Sequence, residues 1–165
     1  MALRRLCPSL KSSMIVTYQT FRRAATELNL SNLPLSPWKF SIDRKDPVLV
    51  VDDQEIMSNL ATRMLTRLGF ENVDHSVDGY QALALLRERK HKLVISDLHM
   101  EAMGGLQLLK AIRADAHLKK TPFILMTGSV DVPNVVAAKL AGTDAYLLKP
   151  FTSDQLKAKL HEVLS

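Results

Sequence analysis

Short runs of strand length alternate with longer amphipathic segments from residue 47 to the end of the chain. Four of the five short runs are apolar, apart from Ser96 at the end of the third. In the longer segments apolar residues recur every three or four positions, as in helices that face a core. The predicted strands are Val48–Val51, Asn72–His75, Leu93–Ser96, Phe123–Met126 and Ala145–Leu148. The predicted helices are Gln54–Leu68, Gly79–Arg89, Leu106–Ala114, Val132–Leu140 and Thr152–Leu164, and element ends are marked by Gly69, Gly128 and Gly142.

Five strand–helix repeats predict an α/β domain. Strands that read as continuous apolar runs are typical of a parallel sheet with helices on both faces. The run Asn72–His75 is mostly polar, so we expect it to be an edge strand. The predicted architecture is therefore a doubly wound (βα)5 sheet.

The first 43 residues differ in composition from this repeat. Pro34 and Pro37 interrupt regular structure, and Asp46-Pro47 directly precedes the first strand. We place the start of the folded domain at residue 44 and treat residues 1–43 as a separate basic extension.

The basic charge of the chain belongs to this extension. The whole chain carries a formal charge of +5, yet residues 1–45 hold eight basic and two acidic side chains, and residues 46–165 hold 14 basic and 15 acidic ones. A domain with almost no net charge has no overall electrostatic attraction to nucleic acid. We therefore predict no DNA-binding domain; retention on DNA that is lost when residues 1–43 are deleted would contradict this.

Within the extension, apolar residues recur at helical spacing. This stripe predicts one short amphipathic helix in a segment that is otherwise disordered or weakly helical, with Arg22 and Arg23 off the stripe. The acid-free start resembles an organellar transit peptide, and it equally suits a docking helix or a protein whose true start is Met14. The stripe consists of Met14, Tyr18, Phe21, Ala25 and Leu28.

The sequence lacks a long apolar run and a second cysteine, and both absences bear on where in the cell the protein is expected. No apolar run approaches the roughly 18 residues that a membrane-spanning helix needs, so we predict no membrane span. Cys7 is the only cysteine, and one cysteine forms no internal disulfide, so we expect a reducing, cytoplasmic location.

The polar residues with chemical potential follow the predicted strands. Asp52 and Asp53 follow the first strand, Asp97 the third, Thr127 the fourth and Lys149 the fifth. In a parallel sheet the carboxyl ends of the strands lie at one edge, which is where α/β proteins bind ligands. Three carboxylates there require a cation, and oxygen ligands favour Mg²⁺, while a lysine and a hydroxyl facing them suit a phosphoryl group.

Each of these residues also has an ordinary structural interpretation. Asp52 or Asp53 would serve as a cap for the first helix, Asp97 as a loop carboxylate, Thr127 as a strand residue and Lys149 as a solvated charge. Capping and solvation do not explain why acids, hydroxyl and ammonium occur together at four strand ends, so we prefer a functional site.

The spacing of these residues resembles the receiver domain of two-component response regulators, over about residues 46–164. Asp97 lies 44 residues after Asp53, Thr127 30 residues after Asp97, and Tyr146 19 residues after Thr127, with Lys149-Pro150-Phe151 beginning three residues later. The resemblance implies a flavodoxin-like fold with strand order 2-1-3-4-5.

The resemblance also implies a role for each site residue. Asp97 would be the phosphoacceptor. Asp53, Asp97 and the backbone carbonyl of His99 would bind Mg²⁺ directly, and Asp52 through water. Lys149 would contact the phosphoryl group, while Thr127 and Tyr146 would form the switch pair.

One position departs from the family pattern. Glu101 stands where the family usually has proline, and without proline the loop after Asp97 is expected to be less rigid. Glu101 replaces no required ligand, so the phosphoacceptor interpretation stands.

We therefore predict a single-domain response regulator that is a signalling protein and not a turnover enzyme. It would take its phosphoryl group from a sensor histidine kinase, a phosphotransfer protein or acetyl phosphate. It would signal to a protein target through the face formed by helix 4, strand 5 and helix 5. One alternative is an Asp-nucleophile phosphatase of the haloacid-dehalogenase type, which normally needs a second Asp where this chain has His99; the other is a binding module that works without phosphorylation.

Two local features carry further expectations. The Lys149-Pro150 bond is predicted to be cis, since a sharp turn there would direct the ammonium at the acids, and X-Pro is the bond type that adopts cis readily. The side chains of His99 and Ser129 are expected to border the path of water to the phosphoryl group, or, for His99, to point into solvent.

Overall fold

The computed structural model describes residues 42–129 and 131–164. Ten elements alternate along this part of the chain. The strands are β1 (Val48–Val51), β2 (Val73–Ser76), β3 (Leu93–Asp97), β4 (Phe123–Thr127) and β5 (Ala145–Leu148). The helices are α1 (Glu55–Arg67), α2 (Gly79–Glu88), α3 (Gly105–Ala114), α4 (Val132–Ala141) and α5 (Ser153–Leu164).

The five strands form one parallel sheet in the order β2-β1-β3-β4-β5, which confirms the predicted fold. β2 lies at the edge, as its polar sequence indicates. The predicted bounds were one residue too early for β2 and one residue too short for β3 and β4, so Asp97 and Thr127 are the last residues of their strands and not the residues after them.

Both faces of the sheet are covered by apolar layers, because alternate residues of each central strand point to opposite faces. Val48 and Val50 of β1 pack with α1 and α5, while Leu49 and Val51 pack with α2 and α3. All four of these side chains are fully buried. The strands are thereby held rigidly, and their carboxyl ends form a fixed edge.

Glycines end two of the helical segments as expected. Gly69 and Gly142 have φ values of 97° and 87°, in the left-handed region that side chains disfavour. Each turns the chain sharply from a helix toward the next strand.

The predicted extension, residues 1–43, lies outside the described residues except for its last two. The helix predicted for residues 14–28 lies wholly outside the described residues. The domain boundary at residue 44 stays a prediction. Within the described ranges, no helix combines the length and the apolar character needed to span a membrane.

Candidate functional site

Three carboxylates meet at the carboxyl edge of the sheet. Asp97 ends β3, and Asp52 and Asp53 follow β1, its neighbour in the sheet. One ligand oxygen from each of the three lies within 4.8 Å of the others. Asp52 and Asp97 are buried, whereas Asp53 is exposed. The predicted gathering of these acids is confirmed.

The Lys149 ammonium lies between the two buried acids. Its Nζ is 2.9 Å from Asp52 Oδ2 and 2.7 Å from Asp97 Oδ1. The Lys149 backbone N–H donates to the Thr127 carbonyl oxygen at 2.7 Å, and the Lys149-Pro150 bond is cis, as predicted. One ammonium offsets only one of three carboxylates, so the cluster retains a net negative charge that attracts a cation.

Burial and ion pairing have opposite effects on the pKa values of Asp97 and Lys149. Burial raises the pKa of Asp97, and the hydrogen bond and charge of Lys149 offset that effect only in part. Burial alone would lower the pKa of Lys149, but its hydrogen bonds to Asp97 and Asp52 outweigh burial and raise it. The ammonium therefore stays charged and holds the two acids together.

Backbone N–H groups donate to the second carboxylate oxygen of each buried acid, Asp52 and Asp97. Asp52 Oδ1 accepts from the Gln54 N–H at 2.9 Å, and Asp97 Oδ2 accepts from the His99 N–H at 3.1 Å. The N-cap of α1 is Gln54, with no side-chain cap hydrogen bond. Neither Asp52 nor Asp53 is thus the N-cap residue of α1, but Asp52 does bind the N–H of that residue while its other oxygen contacts Lys149.

Thr127 ends β4, beside β3 in the sheet, with its hydroxyl turned toward its own loop. Its Oγ1 donates to the Ser129 carbonyl oxygen at 2.7 Å and accepts from the Ser129 N–H at 3.3 Å. The threonine is buried. A group that recruits this hydroxyl must first release it from Ser129.

Tyr146 connects β5 to α4. Its hydroxyl donates to the Val135 carbonyl oxygen at 2.8 Å, and the ring packs against the core layer that includes Leu125 and Ala138. Burial raises the pKa of this phenol well above its usual range. The tyrosine is thus half-buried and fixed to the backbone of the helix beside the site.

A groove of about 530 Å³ opens beside Asp53 along the loop between β3 and α3. His99 and Glu101 line it and are both exposed, and Asn134 of α4 lies on its other side. The structure thus brings Lys149 into contact with Asp52 and Asp97, places an Asp53 oxygen within 4.8 Å of both acids, and places His99 at the rim of the groove.

Gly105 is a site residue that the sequence analysis missed. It begins α3 and packs so closely against β3 that a Cβ atom would overlap the backbone carbonyl oxygen of Asp97. The pair Gly104-Gly105 at a predicted helix start was the available signal, because adjacent glycines permit close backbone approach. The Gly105 N–H also donates to the carbonyl oxygen of Leu98, the residue before His99, at 3.1 Å.

Comparison with known proteins identifies the family. Residues 48–161 match the family model of the response regulator receiver domain. The chain belongs to this family. The match includes every member of the acidic cluster and Lys149.

Curated receiver proteins are similar over the same region. The chemotaxis protein CheY-3 of Vibrio cholerae is 35% identical over 122 residues, which cover 74% of this chain and 94% of that protein. A probable chemotaxis protein CheY of Rhizobium etli is 39% identical over 123 residues, 74% of this chain and 95% of its own length. The receiver assignment thus rests on relatives that are matched almost throughout.

Solved structures agree with the fold. The chemotaxis protein CheY4 of Vibrio cholerae has a TM-score of 0.69 at 30% identity and covers 73% of this chain and 99% of its own. The receiver domain of the sensor histidine kinase PA1611 from Pseudomonas aeruginosa has a TM-score of 0.67 at 24% identity, over 73% of this chain and 98% of its own. That receiver was solved with a magnesium ion coordinated in its active-site cleft.

Proposed function

We propose that this receiver accepts a phosphoryl group on Asp97 and signals through a change in α4, β5 and α5. The observation that carries the proposal is the Lys149 ammonium held between Asp52 and Asp97 within a cluster of three acids. An acid that already contacts a fixed ammonium is well placed to carry a phosphoryl group, since the same ammonium then contacts the new anionic oxygens.

The donor set of the cluster fits Mg²⁺. The three side chains offer carboxylate oxygens, which hard divalent ions prefer to nitrogen or sulfur ligands. Asp53, Asp97 and the His99 backbone carbonyl would hold the ion directly, and Asp52 through water. When bound, Mg²⁺ supplies positive charge that offsets the repulsion between an incoming phosphoryl group and the carboxylates.

The transfer itself exchanges one bond for another. An Asp97 carboxylate oxygen attacks phosphorus, an O–P bond forms, and the P–N bond of the donor phosphohistidine breaks, with the departing imidazole taking up a proton. Lys149 and Thr127 donate to the phosphoryl oxygens, Thr127 after leaving the Ser129 carbonyl. Attack by water later returns the carboxylate and inorganic phosphate.

The donor and target follow from the same chemistry. A sensor histidine kinase or a phosphotransfer protein would supply the phosphohistidine, and acetyl phosphate would serve as a small donor. The phosphorylated chain would act on a protein target through the α4–β5–α5 face, as a signalling protein that assists only its own phosphorylation and dephosphorylation.

Intact mass spectrometry tests the proposal. The chain is incubated with acetyl phosphate and Mg²⁺, and we expect a gain of one phosphoryl group that Asp97→Asn and EDTA each abolish. Asp115→Asn, which changes an aspartate that only binds its own turn and Arg87, serves as the control and should label normally. Full labelling of Asp97→Asn, or labelling in EDTA, would overturn the assignment.

A further inference from the structure

Exposed basic side chains are concentrated at the amino edge of the sheet, opposite the acidic cluster. The segments that lead into β3 and β4, residues 87–92 and 117–121, hold six basic side chains and one acid, Glu88. Residues 46–165 as a whole carry one more acidic than basic side chain, so the charge of the domain is unevenly distributed. We call these two segments the basic edge surface. Its six basic residues are all exposed: Arg87, Arg89, Lys90, Lys92, Lys119 and Lys120.

The two segments are neighbours in the structure. β3 and β4 are adjacent parallel strands, and the Val94 N–H of β3 donates to the carbonyl oxygen of Pro122, just before β4, at 2.9 Å. Arg87 at the end of α2 lies 3.6 Å from the carboxylate of Asp115, just after α3. The ends of both segments are thus joined, so their exposed lysines belong to one surface.

Ordinary structural roles account for only part of this charge. Arg87 lies in the last turn of α2, where a cation offsets the partial negative charge of the helix end. Arg89 pairs with Asp74 at 2.7 Å. Neither role explains why four exposed lysines lie together in turns outside the helices. These are Lys90, Lys92, Lys119 and Lys120.

The position and type of these residues favour an anionic surface as the partner. A concentration of positive charge attracts an extended anion. Proteins that read duplex DNA place a helix or a strand in a groove, whereas these lysines lie on turns. Lysine is a point charge that binds phosphate groups without the fixed planar geometry of arginine. Such contacts suit the headgroups of a fluid lipid layer.

The chain enters the domain beside this surface, and its upstream sequence favours a membrane over a nucleic acid. The carbonyl oxygen of Pro47, just before β1, accepts from the Lys92 N–H at 2.8 Å. Residues 1–26 hold five basic side chains and no acidic one, and apolar residues recur at helical spacing from Met14 to Leu28. A bilayer interface takes up apolar as well as basic side chains, whereas a phosphate backbone attracts the basic ones.

We propose that the basic edge surface binds an anionic phospholipid bilayer. Lys90, Lys92 and Lys119 contact the lipid headgroups, and the basic residues upstream of the domain add to the attraction. Each basic residue near such a surface strengthens binding about fivefold. The acidic cluster lies at the opposite edge of the sheet, so it stays accessible while the chain is bound. The binding does not depend on phosphorylation of Asp97.

Vesicle sedimentation of the full chain tests this. We expect the chain to bind phosphatidylcholine vesicles that contain phosphatidylserine, to dissociate from them at high salt, and not to bind vesicles of phosphatidylcholine alone. Lys92→Glu with Lys119→Glu should weaken the binding at least about tenfold.

A second double variant is the matched control. Arg63→Glu with Lys157→Glu changes the net charge equally, at exposed positions of α1 and α5, which cover the other face of the sheet from α2 and α3. It should weaken the binding less than about threefold. All four positions are exposed, so the fold tolerates the changes, and thermal unfolding checks that both variants are folded.

A gadolinium-chelating lipid in the same vesicles reports the orientation of the bound chain. In the isotope-labelled chain, it should broaden the amide resonances of residues 87–92 and 117–121. It should spare those of residues 97–101 at the opposite edge of the sheet.

Four results would each overturn the proposal. Equal losses in the two double variants would mean that net charge alone drives the binding, and no loss in either would mean that residues 1–43 are responsible for it. Broadening of residues 97–101 in preference to the basic edge surface would place a different surface on the bilayer. The fourth result is failure to bind the anionic vesicles, and retention on duplex DNA would then identify a nucleic acid as the partner.

Discussion

Lys149 sets the charge balance of the acidic cluster, because its ammonium is within 3 Å of both buried acids, at 2.9 and 2.7 Å. Replacing it with methionine leaves Asp52 and Asp97 buried without their counter-ion. We expect Lys149→Met to lower the free energy of unfolding of the metal-free chain by about 3 kcal/mol. It should also tighten Mg²⁺ binding on the order of tenfold, because a positive charge next to the ion is removed.

Denaturant unfolding without metal and calorimetric titration with Mg²⁺ measure the two effects. Lys159→Met removes a partly exposed lysine that pairs with Glu162, away from the acidic cluster, and should change neither quantity appreciably. If Lys149→Met weakened Mg²⁺ binding, the ammonium would not be competing with the ion for the acids.

His99 is predicted to affect the lifetime of the phosphorylated state. Its ring is exposed at the rim of the groove beside Asp53, and we expect it to hinder the approach of water to the phosphoryl group. His99→Ala should speed dephosphorylation severalfold without changing Mg²⁺ affinity, since the metal would use the backbone carbonyl. The rate is followed between about pH 6 and 8. A lifetime equal to that of the parent throughout this range would show that the side chain only faces solvent.

Thr127 and Tyr146 are the proposed switch pair between the acidic cluster and α4. Thr127 Oγ1 now donates to the Ser129 carbonyl, and the Tyr146 hydroxyl donates to Val135 of α4. Once a phosphoryl group on Asp97 accepts the threonine hydroxyl, the loop after β4 loses its hydrogen bond. We expect backbone NMR shifts to change most across residues 131–157 on phosphorylation.

Thr127→Ala is expected to separate the conformational change from the phosphorylation of Asp97. This variant should still gain a phosphoryl group by mass but lose most of the shift changes in residues 131–157. Thr143→Ala is the matched control, because Thr143 is a buried threonine that lies just before β5. This variant should keep the shift changes. Equal shift changes in Thr127→Ala and the parent would exclude this hydroxyl from the switch.

Local patterns in the sequence were sufficient to predict the five-stranded sheet and the gathering of the three acids at its carboxyl edge. Apolar runs of strand length fix which residues are buried, and a parallel sheet then brings strand ends together. The close approach of Gly105 to Asp97 and the bond from Thr127 to Ser129 depend on exact backbone paths, which periodicity does not encode. The predicted bounds of β2 were one residue too early for a related reason, because a polar edge strand has no apolar run to mark its start.

The hydrogen bonds of Arg113 also depend on exact backbone paths. They join three parts of the chain. From the end of α3, its guanidinium donates to the Thr121 carbonyl at 2.8 Å, the Gly142 carbonyl at 3.0 Å and the Asp144 carboxylate at 2.9 Å. Asp144 also accepts from the Phe123 N–H at 2.7 Å. Burial lowers the pKa of Arg113, and Asp144 offsets part of that effect, so the guanidinium is held charged in a partly buried position.

Replacing Arg113 is expected to destabilise the fold through the loss of these hydrogen bonds. Lysine keeps the charge but has no planar set of donors, so Arg113→Lys leaves the half-buried carbonyls of Thr121 and Gly142 without this partner. We expect its free energy of unfolding to fall by about 2 to 4 kcal/mol. Arg87→Lys is the matched control, because Arg87 also pairs with an aspartate, Asp115, but at 3.6 Å and with its side chain 65% exposed. It should lose less than about 1 kcal/mol, and equal losses in denaturant unfolding of the two variants would mean that the Arg113 network adds nothing beyond a surface ion pair.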